Sequence, residues 1–196
     1  MDYSPRPYLA GPYLATRPTQ VHDGWMMIDP ALLITDFTEA ATKARTPGWP
    51  CPLRSEILPA PHGRPTLPLG DGAVYVFSIS PAHGAIAPCG PGTTLKVGKA
   101  GPNNRQRFER MHYNPDAPTI STLAQSLLYH RILWPWLGIE EIDVTSIGDW
   151  MRSNLDRTHF FMPGDRSQVR DTLEVYIRGR VGSVFEGASH GRGRTA

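Results

Sequence analysis

The sequence is poor in cysteine and lacks any long apolar run, and both shortages restrict the class of protein. Its two cysteines, Cys51 and Cys89, form neither a CxxC pair nor a disulfide framework, which disfavours a zinc knuckle and a secreted disulfide-bonded scaffold. No run approaches the ~18 apolar residues that a membrane span requires, and no charged and apolar leader opens the chain. We therefore expect a cytoplasmic protein without a membrane partner.

A charge excess of one sign is also missing. The 196 residues carry 20 Lys and Arg against 18 Asp and Glu, which leaves a net charge of +2. Such a balance is not typical of a basic tail that coats nucleic acid, so the position of the charges is more informative than their sum. The length suits one domain with a core plus an appendage, as a monomer or a homodimer.

Proline is abundant, and its distribution divides the chain. Fifteen of the 20 prolines lie in the first half of the sequence, and proline disrupts helix and sheet interiors because it lacks an N–H donor. We therefore predict that residues 1–70 form a proline-rich arm with one short helix over residues 29–45. Residues 71–188 are predicted to form the folded domain, and residues 189–196 a disordered tail.

The second part of the chain has the residue patterns of an α+β fold. β-branched and aromatic residues predict buried strands, and apolar residues at helical spacing after Ser or Asp caps predict helices. The predicted strands cover residues 73–79, 94–98 and 158–162, and the predicted helices follow Ser121, Ser146 and either Asp165 or Ser167. We expect a small three-stranded antiparallel sheet flanked by helices.

The segment TLKVGKAGPNNRQRFER, residues 94–110, holds five cations and one carboxylate. Strand alternation places Leu95 and Val97 on one face and Lys96 on the other, away from the apolar side. A helix is expected to start near Asn103 or at the next residue, where free backbone N–H groups favour an anion. The segment therefore suits phosphate, although a solvated basic loop would carry the same charges.

The ordered motifs of this part resemble those of the GIY-YIG nucleases over residues 70–187. Ala73-Val74-Tyr75 and Lys96-Val97-Gly98 lie on consecutive predicted strands, and an arginine-bearing helix and a late helical glutamate follow them. The resemblance implies a metal-dependent endonuclease that hydrolyses phosphodiester bonds, with DNA as the first expectation and RNA as an open alternative. It also implies one divalent cation, Mg²⁺ or Mn²⁺, as the cofactor.

The resemblance further implies a catalytic set of five residues. Tyr75 would take a proton from the attacking water, Arg107 would offset charge on the phosphate, and Glu174 would hold the metal. His112 matches the histidine or tyrosine that often follows the arginine in the family. Lys96 stands where the family has the tyrosine of YIG, and its ammonium group would lower the pKa of Tyr75 from about 10.

Other residues of the basic segment are expected to contact the nucleic-acid backbone: Gly98, Lys99, Asn103 and Arg105. Arg105 is also an alternative to Arg107 as the site arginine, and Arg110 is expected in solvent. On an ideal helix Arg107 and His112 lie on opposite flanks. They reach one phosphate only if the helix frays before Asn114-Pro115.

Two departures from the family pattern leave alternatives open. Lys96 replaces a tyrosine, and residues 185–187 (Phe-Glu-Gly) stand where an asparagine is common. A nucleic-acid-binding module with impaired catalysis is therefore a second hypothesis, and an interaction protein unrelated to nucleic acid is a third. For Glu174 the alternative is an ion-pair ladder with Arg170 and Arg178, each four residues away on the helix.

Overall fold

The computed structural model describes residues 28–117 and 122–185, together with the backbone of two short paired strands, β1 (Val21–His22) and β2 (Trp25–Met26). The predicted tail, residues 189–196, lies outside the described residues, as do Ser121 and Glu186. None of the described helices has the length and apolar character needed to cross a membrane.

The core of the molecule is a four-stranded antiparallel sheet. The strands are β3 (Arg54–Leu58), β4 (Asp71–Ile79), β5 (Thr94–Ala100) and β6 (Leu155–Pro163), and their order across the sheet is β3-β6-β4-β5. The central strands β4 and β6 are buried almost throughout, because helices cover both faces of the sheet. The predicted α+β class is therefore confirmed.

The predicted number of strands was wrong, because β3 comes from the segment that proline content assigned to an arm. Its prolines, Pro52 and Pro59, flank the strand and do not interrupt it. All five residues of β3 pair with β6, and β3 has no second neighbour in the sheet. An edge strand of this kind tolerates nearby proline, since one of its sides makes no ladder hydrogen bonds.

Seven α-helices are present among the described residues. They are α1 (Pro30–Lys43), α2 (Pro81–Gly84), α3 (Arg105–Glu109), α4 (Leu123–Tyr129), α5 (Trp134–Leu137), α6 (Ile147–Asn154) and α7 (Ser167–Val181). Asp29 caps α1 by accepting from two backbone N–H groups of its first turn. The predicted caps of α7 were wrong, since the helix begins at Ser167 and no side chain caps it.

Helices α1 and α7 cover one face of the sheet. Phe37 of α1 is 1 % exposed and belongs to the same apolar cluster as Val74, Val76 and Leu173. The other face packs against α3, α4 and α6 through a second cluster that includes Tyr75, Phe77, Phe108, Leu123 and Met151. Helix α1 thus contributes to the core, although it lies within the predicted arm.

A bulge in β5 changes the predicted alternation of the basic segment. Phe77 of β4 pairs with Lys96, but Ser78 pairs with Thr94, so Leu95 is the extra residue. Leu95 therefore joins the cluster on the Tyr75 face, while Val97 joins the cluster on the opposite face. The expectation that Leu95 and Val97 share a face was wrong for this reason.

Two short helical segments, α3 and a 3₁₀ turn, lie between β5 and α4. Helix α3 ends at Glu109, and a single 3₁₀ turn, Met111–Tyr113, follows it. Helix α4 is capped by Thr122, which forms a capping box with Gln125. The early end of α3 meets the condition under which Arg107 and His112 can reach one site.

Candidate active site

Tyr75 and His112 form the centre of the site. Tyr75 comes from the middle of β4 and His112 from the 3₁₀ turn, and the Tyr75 Oη and His112 Nε2 atoms lie 2.6 Å apart. Both side chains are buried. The charge of Arg107 of α3, which is half-buried, acts on the Tyr75 hydroxyl group and favours its ionised form. The early break after α3 therefore brings Arg107 and His112 into the surroundings of the same phenol.

Gly98 makes room for the Tyr75 ring on the neighbouring strand. The two residues are partners in the β4–β5 ladder. A Cβ atom on Gly98 would lie 2.7 Å from Tyr75 Cε2 and 2.8 Å from its Cζ and Oη atoms, which is closer than packed atoms tolerate. Gly98 is buried, so its part in the site is to admit the phenol ring across β5.

Lys96 is buried on the same face, two residues before Gly98 along β5. Only 2 % of its surface is exposed. Burial, reinforced by the charges of Arg107 and Arg178, lowers the pKa of Lys96 to about 8. The Lys96 side chain was expected on the face of the sheet opposite the apolar residues. Because helices cover both faces of the sheet, this side chain is enclosed.

The titration of Tyr75 differs from the sequence prediction. Burial raises the pKa of Tyr75 above its ordinary value, although the charges of Arg107 and Arg157 act in the opposite direction. The expectation of a lowered pKa was wrong, because the loss of hydration on burial disfavours the phenolate more than the two arginines stabilise it. The cations that oppose burial are the two arginines, whereas the prediction had assigned this effect to Lys96.

Arg157 is a site residue that the sequence did not indicate. Its guanidinium group is fully buried and lies 4.8 Å from the centroid of the Tyr75 ring and 4.3 Å from that of Phe108. It donates hydrogen bonds to the Phe108 carbonyl oxygen at 2.7 Å and to the Tyr113 hydroxyl oxygen at 3.3 Å. The predicted strand began at Thr158, one residue too late to place Arg157 on the sheet.

Glu174 of α7 binds two cations. Its Oε2 atom lies 2.8 Å from Lys99 Nζ, and its Oε1 atom accepts a hydrogen bond from Arg178 at 2.9 Å. Lys99 also pairs with Asp171 at 3.2 Å. Of the alternative ion-pair ladder, the pair between Glu174 and Arg178 is formed. Arg170 instead donates to the Gly164 carbonyl oxygen. Glu174 is only 9 % exposed, and its charge contributes to the pKa of Tyr75.

The remaining cations of the basic segment point elsewhere. Arg105 pairs with Glu109 at 3.3 Å, and this carboxylate also accepts from Arg64 and from the Leu67 backbone N–H. Arg107, and not Arg105, is therefore the arginine whose charge acts on Tyr75. Arg110 is exposed, as expected, and lines a cavity of about 240 Å³ with Arg64, Glu109, Tyr113, Asn114 and Arg152. Asn103 is exposed near the start of α3.

The fit of a divalent cation depends on Glu174. Within the described residues, no group of three or more His, Cys, Asp or Glu side chains is arranged to hold a metal ion. A carboxylate is nevertheless a donor that Mg²⁺ prefers, and Mg²⁺ commonly binds through one or two carboxylates with water and substrate phosphate as the other ligands. A cation such as Mg²⁺ or Mn²⁺ would have at most two carboxylates here, Glu174 and Asp171, and Lys99, which pairs with both, would have to give up its contact with Glu174 Oε2.

Comparisons with known proteins returned no relatives. No protein-family model, no curated protein and no solved structure matches the chain. The resemblance to the GIY-YIG nucleases therefore rests on the motifs quoted above.

Proposed function

We propose that the protein is a metal-dependent endonuclease that hydrolyses phosphodiester bonds of nucleic acid, with DNA as the expected substrate. One observation carries the proposal. Tyr75 is hydrogen-bonded to His112, and the charges of Arg107, Lys96 and Glu174 act on one or the other member of this pair. The five residues come from five separate elements of the chain.

The charge of the cluster suits a phosphodiester. Five cationic side chains accompany two carboxylates, namely Lys96, Lys99, Arg107, Arg157 and Arg178 against Asp171 and Glu174. Charge-assisted hydrogen bonds from guanidinium and ammonium groups to phosphate are among the strongest that proteins form. A phosphate group that binds beside Arg107 would therefore meet more positive than negative side chains.

The residues suit one chemical step. A Tyr75 phenolate takes a proton from water while the water oxygen bonds to phosphorus, and the bond to the sugar oxygen breaks as that oxygen takes a proton from a solvent water molecule. Arg107 offsets the charge that develops on the phosphate oxygens. The bound cation, held by Glu174, would supply further positive charge to the phosphate.

A binding module without catalysis is the second candidate. It is favoured by the two ion pairs that already occupy the oxygens of Glu174, and by the raised pKa of Tyr75, which keeps the phenol protonated near neutral pH. In that case the same cations would hold a phosphate backbone that is never cut.

Cleavage assays separate the two candidates. Purified protein is incubated with supercoiled plasmid and with short RNA, in Mg²⁺ or in EDTA, and compared with the Glu174→Gln variant. The matched control is Glu39→Gln, which removes an exposed carboxylate that is also ion-paired with a lysine four residues away. We expect Mg²⁺-dependent nicking that falls at least ~100-fold in Glu174→Gln and is unchanged in Glu39→Gln. Binding without cutting in all three proteins would favour the module.

A further inference from the structure

The hydrogen bond between Tyr75 and His112 has a direction that the surrounding backbone determines. The two atoms are close enough for either group to donate, since a phenol and a neutral imidazole each carry one proton. The second nitrogen of the ring decides between the two arrangements, because a neutral imidazole has a proton on one nitrogen only.

The second nitrogen, Nδ1, faces a backbone N–H group. The Leu123 amide donates to His112 Nδ1 at 3.4 Å. Leu123 is the first residue of α4, where a backbone N–H has no partner inside the helix. The capping side chains already have other partners. Thr122 Oγ1 accepts from the backbone N–H of Gln125, and Gln125 Oε1 accepts from the backbone N–H of Thr122. His112 is thus the partner that this buried N–H finds.

An N–H donor can only be met by an unprotonated nitrogen, so the His112 proton lies on Nε2. The opposite tautomer would place two buried N–H groups against each other and would leave the Leu123 backbone N–H without an acceptor, which is unfavourable for a buried donor. Turning the ring by half a rotation would present carbon atoms to both partners. Burial and the charges of Arg157, Lys96 and Arg107 hold the pKa of His112 well below its usual range, so the ring stays neutral.

We propose that His112 is a fixed hydrogen-bond donor that positions Tyr75, with the direction of its bond set by the Leu123 amide. The Tyr75 oxygen then accepts from His112, and its own proton is directed away from the imidazole. His112 does not take up the phenol proton. In the nuclease proposed above, on which this role rests, Tyr75 would first lose its own proton to bulk water, and the resulting phenolate would take the proton of the attacking water directly, with no relay through the imidazole.

Nitrogen NMR of ¹⁵N-histidine-labelled protein tests the direction without any assay of activity. Long-range ¹H–¹⁵N correlation spectra distinguish a protonated from an unprotonated ring nitrogen, and His112→Gln identifies the signals. We expect a neutral ring that carries its proton on Nε2 across pH 6 to 9. A proton on Nδ1, or a ring that takes up a second proton in this range, would overturn the proposal.

A pair of isosteric variants tests the consequence for Tyr75. His112→Gln keeps an N–H donor for the phenol oxygen, whereas His112→Glu, when ionised, offers only an acceptor. Tyr75 is titrated by phenolate absorbance as the difference from Tyr75→Phe. We expect the Tyr75 titration to move to higher pH in His112→Glu than in His112→Gln; equal shifts would overturn the donor role. Failure to cleave nucleic acid, with the Nε2 proton present, would refute the nuclease proposal and leave the hydrogen-bond direction standing.

Discussion

At the residue scale, the site combines three groups whose protonation is set by burial. Burial raises the pKa of Tyr75, lowers that of His112 and lowers that of Lys96 to about 8. In each case the enclosed side chain favours its neutral form. Of the three, Lys96 is the one that changes charge close to physiological pH, and this makes it accessible to a binding measurement.

The affinity for nucleic acid is expected to fall as the pH rises through about 8. Lys96 carries its charge below this pH and loses it above, which removes one cation from the phosphate site. Fluorescence anisotropy with a short labelled duplex in EDTA, over pH 6.5 to 9.5, measures the dissociation constant without cleavage. In Lys96→Arg, whose guanidinium stays charged throughout, the decrease should disappear. An identical pH dependence in both proteins would show that another group is responsible.

At the element scale, the site depends on the register between β4 and β5. The pairing of Tyr75 with Gly98 places the phenol ring where a Cβ atom on residue 98 would collide with it. The same register pairs Lys96 with Phe77, on the same face as Tyr75, and the bulge at Leu95 comes only after this pair. Two neighbouring strands therefore deliver the phenol and the buried ammonium group together.

Gly98→Ala is expected to damage both stability and activity. The new methyl group must displace the Tyr75 ring, and overpacking of this kind costs about 1–3 kcal/mol. Urea unfolding monitored by circular dichroism measures the free energy of unfolding, and plasmid nicking measures the activity. Gly63→Ala is the control, because its methyl group would meet no atom within 4 Å. Unfolding and activity equal to those of the control would mean that Tyr75 does not need this space.

At the scale of the whole molecule, local sequence patterns predicted the fold class, whereas they did not predict long-range strand pairing. Strand β3 was missed because its partner, β6, lies about 100 residues away and its flanking prolines favoured an irregular segment. Arg157 was missed because a buried arginine between aromatic rings has no periodic signal of its own. The pKa of Tyr75 was predicted with the wrong sign because the phenol is buried by α3, α4 and α6, whose packing against this face of the sheet is not visible in the residues around Tyr75.

The central claim is that residues from distant parts of the chain act as one phosphodiester-hydrolysing unit. The most direct measurement is the single-turnover rate of plasmid nicking in Tyr75→Phe, in Arg107→Met and in the double variant, with exposed Tyr129→Phe as the control. Groups that act in one step are strongly non-additive, so the double variant should be no slower than the slower single variant within about threefold. Losses that multiply in the double variant, or a wild-type protein that does not nick DNA or RNA, would contradict the account.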